Sequence, residues 1–247
     1  MKALVAAATG LLAMAFATCL AAQTGERRVA LVIGNGTYQN TASLTNPSND
    51  AEDMAVLLRR VGFEVVDGRD LDKRGMDAAL ARFARIVRDA DAALFFYAGH
   101  GLQHQGQNYL VPVDAKLEDE FALQFETTRI DDVLRALSLA RGVRLLILDA
   151  CRNNPLADRL AGAQTRSVQQ GLARIENQRG MLIAYATQAN DVAYDGKGRN
   201  SFFSGALVKE IQVPGVEVGQ LFRRVAHSVN QQTQGRQTPE LSLSLFT

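Results

Sequence analysis

The chain has 247 residues, 47% of them hydrophobic and 21% charged, with a formal net charge of +1. That apolar content fills one full α/β core, and the near-neutral balance excludes a polybasic nucleic-acid footprint and a polyacidic tail. Trp is absent and His occurs only at His100, His104 and His227, too few imidazoles for a multi-histidine metal site.

The first 22 residues stand apart. Lys2 precedes an almost wholly apolar or small run over residues 3–22, and Ala21, Ala22 and Gln23 form a small-residue cleavage point. The pattern predicts an export signal over residues 1–22, hence a periplasmic or secreted protein with no stable membrane association once the signal is removed. The run is long enough to span a bilayer, so an uncleaved membrane anchor is the alternative. Removal of the signal takes Cys19 and leaves Cys151 as the only cysteine of a chain running over 23–247. A lone thiol in an oxidising compartment has no internal disulfide partner; it is either buried and inert or kept for its chemistry.

Strand and helix then alternate. Residues 28–33 (RVALVI) predict a buried strand ending at Gly34, and residues 49–61 place Ala51, Met54, Ala55, Leu58 and Val61 on one helical face. A strand follows at 63–66 and a helix at 76–87. Residues 92–97 (AALFFY) predict a buried strand that stops at Gly99, and 109–113 a brief strand. A helix is expected over 130–139 and another apolar strand over 143–148 (VRLLIL). Residues 152–179, rich in Arg, Gln, Asn and Ala, predict a long mobile connection. A strand at 181–186 and helices at 202–211 and 216–229 close the chain. Continuous apolar strands alternating with helices predict a three-layer α/β fold, a mostly parallel central sheet with helices on both faces. Such sheets place their sites beyond the carboxyl ends of the strands.

Two strand ends carry chemistry. One leads into Gly99-His100-Gly101, the other into Asp149-Ala150-Cys151. A thiol attacks as thiolate, and an imidazole titrates in the range needed to take its proton and later return it. If the two strands are neighbours, only short loops are needed to bring sulfur and ring together. Gly101 N–H and Cys151 N–H are candidate donors to a developing oxyanion, and Asp149 is a candidate lining for a cationic pocket. Each residue also has a structural alternative: a small core thiol, a turn histidine, a capping aspartate.

These residues resemble a known family. Tyr97-Ala98-Gly99-His100-Gly101 resembles the histidine motif of caspase-like peptidases, and Leu146-Ile147-Leu148-Asp149-Ala150-Cys151-Arg152 resembles their nucleophile motif, with the His about 50 residues upstream. Ala30-Leu31-Val32-Ile33-Gly34-Asn35, followed by Leu44-Thr45-Asn46-Pro47-Ser48-Asn49-Asp50-Ala51, is similar to the opening of bacterial metacaspase-like (orthocaspase) proteins. Residues 181–187 and 195–202 resemble their C-terminal subdomain, so the likeness runs over 28–237.

The resemblance implies a single caspase-like domain over 23–247: a p20-like part at 28–152, a linker at 153–179 and a p10-like part at 180–247. It implies peptide-bond hydrolysis through an acyl-enzyme, with Cys151 as nucleophile, His100 as general base and acid, and Gly101 and Cys151 as oxyanion donors. It places an acidic S1 pocket at Asp50 and Asp149, with Ala98 where relatives often carry Ser, and so cleavage after Arg or Lys in polypeptide substrates. Ala186, Thr187 and Gln188 correspond to the edge that pairs with substrate backbone. Arg152, Arg159, Arg166, Arg174 and Arg179 become candidate self-cleavage positions. No cofactor is required. Calcium is an alternative, since some relatives need it, but Glu118-Asp119-Glu120 lacks the spaced oxygen ligands of a dedicated site. Two other functions compete: a caspase-fold binding or scaffold module without turnover, and an unrelated α/β domain such as a signalling receiver, which leaves Cys151 unexplained.

Overall fold

A computed structural model of the chain describes residues 25–151, 168–169, 172–176, 179–188, 191 and 193–244. The expected export signal lies outside these residues, as do Arg152, Arg159 and Arg166; for Cys151 only the backbone position is described. No helix among the described residues is long and apolar enough to cross a membrane.

The elements run β1 (Arg28–Gly34), α1 (Pro47–Arg60), β2 (Phe63–Arg69), α2 (Lys73–Ile86), β3 (Ala92–His104), β4 (Gln107–Leu110), α3 (Ala122–Glu126), β5 (Thr128–Arg129), α4 (Ile130–Leu137) and β6 (Val143–Cys151). After them come β7 (Val168–Gln169), β8 (Met181–Tyr185), α5 (Phe202–Ile211), α6 (Val218–Gln232) and β9 (Glu240–Ser244). The main sheet has the order β2-β1-β3-β6-β8-β9. Its neighbours pair in parallel except β8 and β9, which are antiparallel.

Period-two alternation sorts each strand onto two buried faces. Leu31, Ile33, Phe95, Tyr97, Leu146 and Leu148 pack with Phe83 of α2 and Val133 and Leu137 of α4. Ala30, Val32, Phe96, Ala98 and Ile147 pack with Met54 and Leu58 of α1, Phe203 of α5 and Val225 of α6. Both faces are covered, so the strands must be apolar throughout, which is why residues 28–33, 92–97 and 143–148 read as unbroken runs. Each large side chain buried here contributes about 1.5–3 kcal/mol. The helices start on local signals: Pro47 sits in the first turn of α1, Asp72 caps α2 through Gly75 N–H, and Ser201 caps α5 through Ser204 N–H.

Four features differ from the sequence expectations. β3 does not stop at Gly99 but continues to His104 and pairs antiparallel with β4. Gly99 takes φ +150°, where a Cβ would lie 2.7 Å from both Tyr38 Oη and Tyr97 Oη, so here the glycine carries the strand through a tight passage instead of ending it. The brief strand expected at 109–113 is β4, two to three residues earlier. The chain's last described element is a strand, β9, not a helix. Residues 172–176, expected within the mobile connection, are docked. Leu172 is buried and Ile175 packs beside it in the α2/α4 core. Ile175 N–H donates to Tyr185 Oη at 3.0 Å, and Asn108 exchanges two hydrogen bonds with the Ala173 backbone at 2.7 and 2.8 Å. Two apolar side chains among polar ones are too sparse to show as a face in sequence.

Candidate active site

β3 and β6 are direct neighbours, and their register pairs Ala98 with Asp149, Gly99 with Ala150 and His100 with Cys151. The two strand ends singled out in sequence therefore lie side by side. Across β4, Val111 N–H donates to His100 O at 3.1 Å while Gly101 is the register partner of Leu110. That makes Gly101–Leu110 a non-hydrogen-bonded pair, so Gly101 N–H points away from β4, toward the β6 side.

His100 is buried at 1% exposure. Its ring Nε2 lies 2.8 Å from Ala42 O, which can only accept, so Nε2 carries the proton and Nδ1 the lone pair. Nδ1 is buried with no hydrogen-bond partner among the described residues. The ring lies against Tyr38, centroids 4.4 Å apart. The backbone is fixed too: His100 N–H donates to Tyr38 Oη at 2.7 Å, and Tyr97 Oη donates to His100 O at 2.8 Å. Tyr38 and Ala42 belong to the loop after β1, which Asp70 holds by accepting Gly36 N–H and Thr37 N–H, each at 2.8 Å. Burial lowers the imidazole pKa; the Ala42 bond and the charge of Asp195 work against that shift without cancelling it. Burial thus favours the neutral ring.

On the α1/α5 face, Asp50 and Asp149 meet around Ser201. Asp149 is 5% exposed and accepts from Ser201 Oγ and, at 2.6 Å, from Ser204 Oγ. Asp50 is 1% exposed and accepts Ser201 N–H at 3.1 Å through Oδ1, while Oδ2 is buried without a hydrogen bond among the described residues. Burial raises both carboxyl pKa values; for Asp50 the charge of Asp149 adds to the rise, and the nearby Asn200 amide offsets part of it. Ala98 lies in the same core face as α1, beside Asp149 in register.

Asp195 is a third carboxylate that no single-residue pattern pointed to. Its Oδ2 accepts Thr45 N–H at 2.9 Å and Asn46 N–H at 3.3 Å, and Asn46 Nδ2 donates to its backbone carbonyl. Its charge acts on Asp50, on Asp149 and on His100, and burial raises its own pKa. The only signal in sequence was its place at the head of the 195–202 motif.

Of the proposed substrate edge, Thr187 is buried and Gln188 exposed. Ala186 N–H donates to Leu148 O at 3.0 Å and its carbonyl accepts from Gln237 Nε2 at 2.8 Å, so its backbone is engaged within the protein. His104 is separate from the site, its Nε2 3.8 Å from Glu120 Oε2, and His227 is exposed on α6. In the 118–120 run, Asp119 caps Ala122 N–H, and no group of three or more His, Cys, Asp or Glu suited to a metal occurs among the described residues. A cleft of about 530 Å³ between α2 and α4 lies across the sheet from the three carboxylates and shares no residue with them.

Comparison with known proteins gives one family: the model described as a caspase domain matches residues 27–247. The chain is 27% identical over 238 residues to the mucosa-associated lymphoid tissue lymphoma translocation protein 1 homolog of Mus musculus, covering 90% of this chain and 27% of that protein. It is 24% identical over 188 residues to caspase b of Danio rerio (75% of this chain, 45% of that protein). It is 23% identical over 229 residues to caspase-1 of Rattus norvegicus (86% and 56%). The chain thus spans less than two thirds of each of these relatives.

Proposed function

The chain belongs to the caspase-domain family, and on that premise we propose that it is an exported cysteine endopeptidase that cleaves after Arg or Lys. The observation that carries this reading is the buried Nδ1 of His100, unpartnered among the described residues, at the position whose register partner is Cys151. Nδ1 takes the thiol proton, and Cys151 Sγ attacks the scissile carbonyl carbon. The protonated ring then gives its proton to the leaving amine as the C–N bond breaks and a thioester forms. Water, deprotonated by the same ring, attacks the thioester carbonyl; the C–S bond breaks and the acid and thiol are released. Ala42 O holds the ring in the required tautomer throughout and stabilises the imidazolium.

Gly101 N–H and Cys151 N–H serve the oxyanion. Both border the last rung of the β3–β6 ladder, so the reading requires that rung to open when substrate enters. Asp50 and Asp149, with Asp195 beside them, form the pocket for the basic side chain; a guanidinium supplies the donors that Asp50 Oδ2 lacks. Thr187 and Gln188 take the substrate backbone. The chemistry needs no cofactor. Residues 1–22 act as the export signal, which places the enzyme in the periplasm or outside the cell.

A fluorogenic peptide panel varying the residue before the cut, run with calcium and with a chelator, tests the reading. Wild type hydrolyses Arg- and Lys-ended reporters, equally with chelator, and self-cleavage within residues 152–179 yields two fragments that Cys151→Ala does not. A panel without turnover of any reporter returns the protein to a caspase-fold binding module.

A further inference from the structure

The segment 193–200 joins β8 to α5 and brings Asp195, and at its end the cap Ser201, against the pocket carboxylates. It has no regular secondary structure, and Gly196, at φ +79°, and Gly198 lend it little stiffness. Its shape is imposed from outside: Thr45 and Asn46 hold Asp195, Gln237 Oε1 accepts Tyr194 N–H at 3.0 Å, and α1 holds the end that leads into α5. Arg199 Nε and Nη2 fork onto the two oxygens of Asp53, each at 2.9 Å, and Nη2 also reaches Glu52 Oε2 at 3.0 Å. Asn200 Nδ2 donates to Asp53 Oδ2 at 2.9 Å, and Asn49 Nδ2 donates to Arg199 O at 3.0 Å.

Asp50 and Asp53 stand one helical turn apart on α1 and so face the same way. Asp50 goes to Ser201 N–H; Asp53 goes to Arg199 and Asn200. The chain's own guanidinium is thereby satisfied on Asp53 and Glu52, and Asp50 Oδ2 has no hydrogen-bond partner among the described residues. Hydrogen bonding to Asp53 holds the Arg199 pKa above its ordinary value, and the same bond holds Asp53 below its own, so both stay charged across the working range. Single exposed ion pairs contribute little. Here a bidentate fork and two amide bonds act on two adjacent residues of one loop, which adds geometric constraint to charge.

We infer that Arg199 is a positioning residue for the basic-side-chain pocket: it clamps segment 193–200 to α1 so that Asp195 and Ser201 stand against Asp50 and Asp149. This rests on the proposed preference for Arg or Lys. The test uses the full chain, with wild type, Arg199→Met and Arg199→Lys compared on an Arg-ended reporter and by amide hydrogen exchange. Arg199→Met raises KM about tenfold with kcat within about twofold, and exchange rises over residues 193–201 but not in β1 or β3. Arg199→Lys, which keeps the charge but not the fork, falls between. If Arg199→Met melts much lower than wild type, Arg199→Lys decides, and it must show the KM rise at an unchanged melting temperature. Unchanged exchange over 193–201 overturns the clamp, as does a fall in KM, which would make Arg199 merely a competing positive charge. A wild type without basic preference, in which Arg199→Met still frees the loop, sinks the specificity reading and leaves the clamp standing.

Discussion

His100 and Cys151 are register partners on the last rung of the parallel β3–β6 ladder, although β4, α3, β5 and α4 intervene in sequence. The sheet itself brings the two positions together, with Gly99 at φ +150° carrying β3 into the rung.

Removing either partner should abolish turnover while sparing the fold. Cys151→Ala and His100→Ala are each expected to lower kcat/KM on an Arg-ended reporter by at least ~1000-fold, as for other residues that act as one catalytic unit. Circular dichroism should stay native. Retained hydrolysis by Cys151→Ala would assign the activity elsewhere.

The pH profile should separate binding from chemistry. Burial and the neighbouring Asp149 push the Asp50 pKa up to about 8, whereas burial lowers that of His100. In the free enzyme Asp50 must lose its proton to receive a cation, so kcat/KM should fall as pH drops through about 8. The profile of kcat reports the substrate-bound enzyme. There the bound guanidinium keeps Asp50 ionised, and the acid limb should lie lower, set by His100, below its ordinary value of about 6.5. Steady-state rates across pH check this; Asp50→Asn should lose the upper limb. Coincident limbs for kcat and kcat/KM in wild type would contradict it.

Stability should show the same buried carboxyl with the matching sign. A carboxyl whose pKa is higher folded than unfolded binds its proton more tightly in the fold, so its contribution is favourable at low pH and is lost as pH rises from about 4 toward about 8. Asp50→Asn removes the ionisation, so its melting temperature relative to wild type should climb over that window, by several degrees (roughly 1–3 kcal/mol) at the alkaline end. A difference independent of pH would mean that Asp50 is ionised without penalty. Scanning calorimetry at a series of pH values reads it.

Gly99→Ala should destabilise the protein by about 2–4 kcal/mol, because it adds a strained φ and a contact against two tyrosine hydroxyls that both anchor His100. Tyr38→Phe adds no strained φ and no steric contact and should cost less, about 1–2 kcal/mol, through loss of the acceptor for His100 N–H. Urea unfolding distinguishes the two, and equal losses would show that Gly99 is not under steric constraint.

The legible and illegible parts of the site differ in how each residue acts. His100, Cys151 and Asp149 carry their own functional groups just past apolar runs, and those runs mark them. Ala42 acts through a backbone carbonyl and Ser201 through a helix cap, roles open to many residue types. Asp195 and Arg199 matter only because a loop folds back onto α1, and no local pattern carries that. β9 was missed because ELSLS is a short, half-exposed edge strand with little apolar content, and the run of β3 past Gly99 because a glycine after an apolar strand ordinarily signals a stop.

By itself the amino-acid order determined the alternation of strand and helix, the two-faced burial of the sheet and the chemical groups waiting at two strand ends. Those follow from side-chain periodicity and backbone preference, which are local. Which strand lies beside which, and so whether His100 stands in register with Cys151 and Asp50 stands near Asp149, was decided only in the tertiary structure. Strand pairing and helix docking are settled by hydrogen bonds and packing between segments far apart in the chain.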